Sequence, residues 1–272
     1  MSPRLPILIP AGKAFALYRA RVYLLAMNKN VREEFKRLKQ AIREVRPRYD
    51  RAIAAFDADG TLWNTDLGEA LFDYQIRHEL LPNLPKDPWA RYEYLKNNVS
   101  HEVAYIWLAQ INEGLPLTQV QKWAQEAVDE IHPVPVFEEV KDVIAQLLDL
   151  NVEVYIVTAS IKWAVEPGAK LVGLKPENVI GIRTKIKNGL VTTEQDGPLT
   201  YRGGKVDGLK TVAGDVKPFL CAGNTEGDLM LLENASDLRL VISGSPPGDR
   251  NYETEMTMLK IAKDRDWFSV RY

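Results

Sequence analysis

Ala52-Ile53-Ala54-Ala55-Phe56-Asp57-Ala58-Asp59-Gly60-Thr61-Leu62-Trp63 carries the first fold signal of this chain. Ile53 to Phe56 is an unbroken apolar run, the pattern of a central strand buried on both faces of a parallel sheet. It ends in two aspartates separated by one small residue. Unpaired buried charge is expensive, so a cationic group is expected at this strand end. Ligands of open α/β sheets bind beyond the carboxyl ends of the strands. Chemistry at Asp57 and Asp59 is therefore the first expectation. A plain polar turn, which Asp and Gly favour, is the competing one.

Downstream, helical periodicity runs over residues 66–132 without a strand pattern. Helices are expected near 66–81, 87–99, 101–113 and 118–131. The last puts Val120, Trp123, Ala124, Ala127, Val128 and Ile131 on one face. Thr118 to Gln121 fits a capping box at its start. After the linker His132-Pro133-Val134-Pro135, strand and helix alternate. Strands are expected at 152–160, 178–182, 219–222 and 238–242. Helices are expected from Phe137 to Leu148, from Ile161 to Leu171, over 206–213 and over 227–234. Residues 183–201 read as hairpins turning at Asn188-Gly189 and Asp196-Gly197, and the tail from Tyr252 as a helix. This alternation predicts an α/β fold, a doubly wound, Rossmann-like parallel sheet. The expected division is a basic helical arm at 1–50, a core at 51–65 and 133–272, and an inserted helical cap at 66–132.

Three of the expected strands end in polar residues: Asp57 and Asp59, Thr158 and Ser160, and Asn224 and Asp228. In a parallel sheet these ends share one edge. Lys205 enters the helix before the third strand. It stands 19 residues before Asn224, which leaves room for a helix and a strand, whereas Lys210 leaves only 14. Clustered carboxylates repel unless a cation joins them, and hard oxygen donors suit Mg²⁺. Hydroxyls, turn N–H groups and a lysine suit a phosphoryl group. The set points to metal-assisted phosphoryl transfer. Gly203-Gly204-Lys205 is not a P-loop, because Val206 stands where Ser or Thr is required.

These residues resemble the four motifs of the haloacid dehalogenase-like hydrolase superfamily. Asp57 to Thr61 matches the first, Thr158 the second, Lys205 the third, and Asn224 to Asp228 the fourth. The helical insert resembles the cap of the phosphoserine phosphatase-like branch, and parts of the stretch from Val154 to Arg183 are similar to phosphocholine-type phosphatases within it. The resemblance covers roughly residues 50–245. It implies that Asp57 is the nucleophile, forming an aspartyl-phosphate, and that Asp59 is the general acid and then the general base. It also implies that Thr158, Ala159 and Ser160 hold phosphoryl oxygens and that Lys205 neutralises developing charge. Mg²⁺ would take Asp57, the main-chain carbonyl of Asp59, and Asn224 or Asp228. The family often has Asp at position 224, so Asn224 is a departure that removes one negative charge. The second carboxylate of the first motif argues for phosphoester hydrolysis over dehalogenation.

The expected reaction is hydrolysis of a small phosphomonoester. Trp63, Asp66 and Glu69 follow the first motif closely and are expected to face the leaving group. Trp89, Tyr92, Tyr94, Trp107 and Trp123 enrich the cap in aromatics, which would suit an ammonium-bearing alcohol such as serine, choline or ethanolamine. A phosphotransferase or phosphomutase is the alternative enzyme. A membrane- or partner-binding module with a degenerate site is the alternative outside enzymes.

The 272 residues are 46% hydrophobic and 26% charged, an ordinary globular composition. One cysteine, Cys221, excludes an internal disulfide and a Cys-rich zinc site. His78, His101 and His132 are too scattered to suggest a metal site. The net charge of −2 hides an asymmetry. Residues 1–51 carry 13 basic and 4 acidic residues, and the remainder 22 and 33. Apolar stripes at Phe15, Tyr18, Val22 and Leu25, and at Val31, Phe35, Leu38, Ile42 and Val45, run through the basic arm. Such stripes pack on the parent body or a second copy, making a homodimer, or lie on a membrane surface. Arg19 and Arg21 interrupt the apolar stretch from Ala14 to Met27, so no transmembrane span is expected. The chain is expected to be cytoplasmic and to bind no nucleic acid.

Overall fold

The computed structural model describes residues 29–272. The stripe at Phe15, Tyr18, Val22 and Leu25 and the proline-rich first ten residues lie outside them. Helix α1 (Lys29–Val45) precedes β1 (Ile53–Phe56). Four helices follow: α2 (Leu67–Arg77), α3 (Pro88–Asn98), α4 (His101–Gln110) and α5 (Leu117–Asp129). Then come α6 (Glu138–Asp149), β2 (Glu153–Ile161), α7 (Lys162–Ala169), β3 (Val179–Ile182), and the hairpin β4 (Thr184–Lys187) and β5 (Leu190–Gln195). The chain closes with α8 (Gly203–Ala213), β6 (Leu220–Gly223), α9 (Leu229–Asn234), β7 (Leu238–Ser243), α10 (Tyr252–Asp264) and β8 (Phe268–Arg271).

Six strands form one sheet in the order β3-β2-β1-β6-β7-β8, with every neighbouring pair parallel. The chain moves outward in one direction from β1 to β3 and in the other from β6 to β8. The strand order therefore switches at β1, where a doubly wound sheet opens a crevice. β1 is apolar throughout because both faces are covered. Ala54 and Phe56 join Leu38, Ile42, Val140, Ile144 and Leu147 on one side. Ile53 and Ala55 join Leu209, Leu231, Val241 and Met258 on the other.

α1 completes the first of these layers. Val31, Phe35, Leu38, Ile42 and Val45 are buried in it. Glu34 accepts from the Ser269 N–H at 3.4 Å, and the Arg37 guanidinium lies 5.5 Å from the Phe268 ring centre. The described part of the basic arm thus packs on its own body. Its apolar face is not available for the membrane or homodimer contact considered from the sequence.

Helices α2 to α5 build a further apolar cluster around Leu71, Phe72, Tyr92, Leu95, Ala104, Leu108 and Val120. Ile161, Trp163, Ala164, Ile182 and Val191 belong to the same cluster, so these helices sit against the carboxyl ends of β2 and β3. Hairpin β4–β5 borders them, with Gly114 and Leu117 donating N–H groups to Val191 and Gly189 at 2.9 Å. The two connections between the helices and the sheet run side by side. Phe137 donates to Leu62, and Asn64 to Pro135, both at 2.9 Å.

Three local expectations are corrected. α5 starts at Leu117 after Pro116, one residue before the expected cap, and no side chain caps it. The Asn188-Gly189 turn joins β4 to β5, but Asp196-Gly197 closes no second hairpin. The tail is a helix followed by the edge strand β8.

Candidate active site

Lys205 is the cation that the end of β1 requires. Its Nζ donates to Asp57 Oδ1 and to Asp228 Oδ1, each at 2.5 Å, and all three side chains are buried. Lys205 stands in the first turn of α8, drawn inward by a close backbone approach. A Cβ on Gly204 would lie 1.8 Å from the Leu199 carbonyl oxygen. Burial alone would lower the lysine pKa, but the charges of Asp228 and Asp57 outweigh it and hold the ammonium above its usual range.

Asp57 follows β1 directly. Its Oδ2 accepts from the Thr61 hydroxyl at 3.0 Å. Burial, with Asp228 adding, raises its pKa to about 6, against the pull of Lys205. Gly60 turns the chain between the two with φ +81°, and a Cβ there would meet Asn224 Nδ2 at 2.1 Å. Asp228 is locked by its neighbours. Its Oδ2 accepts from the Asn224 N–H at 3.1 Å, the Thr225 N–H at 3.0 Å and the Thr225 hydroxyl at 3.2 Å.

Asp59 has other partners. Oδ1 accepts from the Trp63 indole N–H at 2.8 Å and the Leu67 N–H at 2.9 Å, two donors that can only donate. Oδ2 receives the Ser160 hydroxyl at 2.7 Å. A hydroxyl can also accept, so Oδ2 is the oxygen that can carry a proton. Burial, with the charge of Asp66 adding, raises this pKa to about 8 against those bonds. Two carboxyls with one residue between them are thus held near opposite protonation states at neutral pH.

Thr158, Ala159 and Ser160 lie toward the end of β2 and line the same cleft. The Thr158 hydroxyl accepts from the Ser160 N–H at 3.0 Å, and the Thr158 carbonyl accepts from the Thr200 hydroxyl at 2.5 Å. Asn224 directs its Oδ1 toward Thr61, 3.4 Å away, and its Nδ2 to Glu255 Oε1 at 3.2 Å.

The donor set suits a hard cation. Asp57 Oδ2 and Asn224 Oδ1 converge on the same hydroxyl, and oxygen donors of this kind favour Mg²⁺. Among the described residues no group of three His, Cys, Asp or Glu side chains is arranged to hold a metal. An ion here would depend on the Asn224 amide, the Asp59 main-chain carbonyl and water beside Asp57.

The outer cleft contains Asp66 and Glu69, but not as free carboxylates. Arg250, on the loop after β7, donates to Glu69 Oε1 at 2.5 Å and to Asp66 Oδ2 at 3.1 Å. Asp66 also caps α2 by accepting from the Glu69 N–H at 2.8 Å. Burial and the nearby Asp66 raise the Glu69 pKa to about 7, against Arg250. Tyr92, Lys96, Tyr105 and Tyr201 complete this wall.

Trp63 is a correction. It is fully buried and absent from the cleft wall, so it reaches the site only through Asp59. Of the aromatics expected to face substrate, Tyr92 alone lines the cleft. Trp89 and Trp107 pack on Phe72, at 4.8 and 5.6 Å between ring centres. Trp123 packs on the helical cluster, and Tyr94 is 54% exposed. Arg250, Tyr105, Tyr201 and Glu255 were not singled out from sequence. Only Glu255 left a trace there: with Met258 and Ala262 it forms the buried face of α10, an acid on an apolar stripe.

A family model described as haloacid dehalogenase-like hydrolase matches residues 54–233. The phosphorylcholine phosphatase of Pseudomonas aeruginosa is 25% identical over 245 aligned residues, covering 73% of this chain and 69% of that protein. A Bordetella pertussis Tohama I protein of unknown function shares the fold with a TM-score of 0.66 at 19% identity, over 82% of this chain and 99% of the other. A phosphoserine phosphohydrolase-like protein of Francisella tularensis shares it with a TM-score of 0.51 at 13% identity, over 80% and 94%.

Proposed function

The chain belongs to the haloacid dehalogenase-like hydrolases, and we propose that it is a phosphatase of small phosphomonoesters. The carrying observation is the division of labour between Asp57, ion-paired to Lys205, and Asp59, raised to about 8 with one oxygen free to carry a proton. Asp57 attacks phosphorus and forms an acyl phosphate, while the bond from phosphorus to the leaving alkoxide oxygen breaks. Asp59 Oδ2 gives its proton to that oxygen. It then takes a proton from the water that attacks phosphorus, which releases inorganic phosphate and restores Asp57. Lys205 balances charge beside the nucleophile. Thr158 and the turn after it hold phosphoryl oxygens. Asp57, Asn224 and the Asp59 carbonyl would hold Mg²⁺, which neutralises phosphoryl charge when bound.

The activity for which the Pseudomonas relative is named, with Tyr92, Tyr105 and Glu69 on the cleft wall, supports an amino-alcohol phosphate. Arg250 and Lys96 stand on the same wall, so an ammonium group must compete with them for Glu69. A panel of phosphomonoesters assayed with Mg²⁺ tests both levels. Phosphocholine, phosphoethanolamine or phosphoserine should exceed a neutral alkyl phosphate by about tenfold in kcat/KM. Equal rates would remove the amino-alcohol reading. Asp57→Asn should lower phosphate release by at least about a thousandfold; retained turnover would remove Asp57 as nucleophile.

A further inference from the structure

Glu255 is a buried acid in α10, 1% exposed, and among the described residues it forms no ion pair. Five donors meet it instead. Oε2 accepts from the Ser243 hydroxyl at 3.0 Å and from the N–H groups of Gly244 and Ser245 at 3.1 and 2.9 Å. Oε1 accepts from the Ser245 hydroxyl at 2.9 Å and from Asn224 Nδ2 at 3.2 Å. Three of the five donors are N–H groups, which can only donate. Arg271 stands one residue further out, donating to the Ser243 hydroxyl and to the Ser245 carbonyl.

We propose that Glu255 is a positioning residue for the cation end of the site: it fixes the Asn224 amide with its oxygen toward the Thr61 hydroxyl that Asp57 shares. The inference rests on the reading that this site takes Mg²⁺. A flipped amide would set the Asn224 oxygen against Glu255 Oε1, two acceptors at 3.2 Å, and would turn an NH₂ toward Thr61 and Asp57. Glu255 thereby selects the orientation that offers an oxygen to a cation. The same contact accounts for an amide at this position. Aspartate at 224 would set an acceptor against Glu255 Oε1 where the amide presents a donor.

The test is calorimetric titration of Mg²⁺ into the full chain without substrate, with a melting curve for each variant. Glu255→Gln is expected to weaken Mg²⁺ binding by about tenfold, the usual cost of losing a partner that orients a metal ligand. Asn224→Asp is expected to weaken it as well. Asn224→Asp with Glu255→Gln, which restores a donor facing an acceptor between the two positions, should return affinity to within about threefold of the parent. An affinity unchanged by Glu255→Gln would overturn the proposal. So would tighter binding by Asn224→Asp alone, a result that stands even if Glu255→Gln fails to fold. No binding by the parent chain would overturn the Mg²⁺ reading and this proposal with it, whereas parent binding with unchanged variants overturns this proposal alone.

Discussion

Asp57 and Asp59 are costly residues to place where they are. Both pKa values are raised by burial from 3.8, to about 6 and about 8. Between pH 4 and 8 the folded chain therefore holds protons that the unfolded chain has released. Their contribution to stability is complete below about pH 4 and is lost as pH rises through 6 and then 8. The metal-free protein is expected to show a falling Tm from pH 5 to 8.5. Asp59→Asn should flatten the upper part of that fall and raise stability at pH 8 by an amount on the order of a few kcal/mol. A variant less stable than the parent at pH 8 would contradict this account of Asp59. Trp63 supplies a second prediction at this scale. Trp63→Phe deletes the N–H that holds Asp59 Oδ1 but changes no cleft wall. It should lower kcat about tenfold while KM stays within about twofold; a rise in KM alone would place the indole against substrate after all.

Helix α1 is an element whose role depends on its partners. Its apolar stripe is the same whether it faces a membrane, a second copy or its own sheet, and periodicity cannot distinguish them. The structure buries it against α6 and β8. Phe35→Ala is expected to cost about 3–5 kcal/mol, read as a shift of the denaturation midpoint. Little change would mean that the helix is only loosely held. The same distinction governs what the sequence disclosed. β1, β2, β6 and β7 were legible because an apolar run that ends in polar groups fits a buried strand and little else. β8 was not, because three of its four residues, Phe268, Ser269 and Arg271, are only partly buried. Lys205 was legible from spacing. Arg250 was not, since it gains meaning only when the loop after β7 folds onto the start of α2. The capping box at Thr118 failed because the helix begins one residue earlier, with Pro116 at the cap position, where no side-chain oxygen is offered.

At the scale of the molecule, two polar features supplement the apolar cluster that joins the helices α2 to α5 to the sheet. One is the paired stretch at Leu62, Asn64, Pro135 and Phe137. The other is Arg250, which reaches from the sheet side to Asp66 and Glu69. Arg250→Gln should raise KM by about five- to tenfold with a smaller change in kcat, because it loosens one wall of the cleft and frees two carboxylates beside it. Steady-state kinetics at pH 7 would show this, and an unchanged KM would make Arg250 a surface contact only. α1 and β8 are the first and last of the described elements, yet they lie against each other. During synthesis, Val31 and Phe35 therefore leave the ribosome more than two hundred residues before Val270, which closes their layer. Until then this sticky face needs the half-built layer around α6, or a chaperone, to cover it. A ribosome that stalls shortly before β8 would hold a chain whose α1 face lacks Val270 and whose Ser243 and Ser245 lack Arg271.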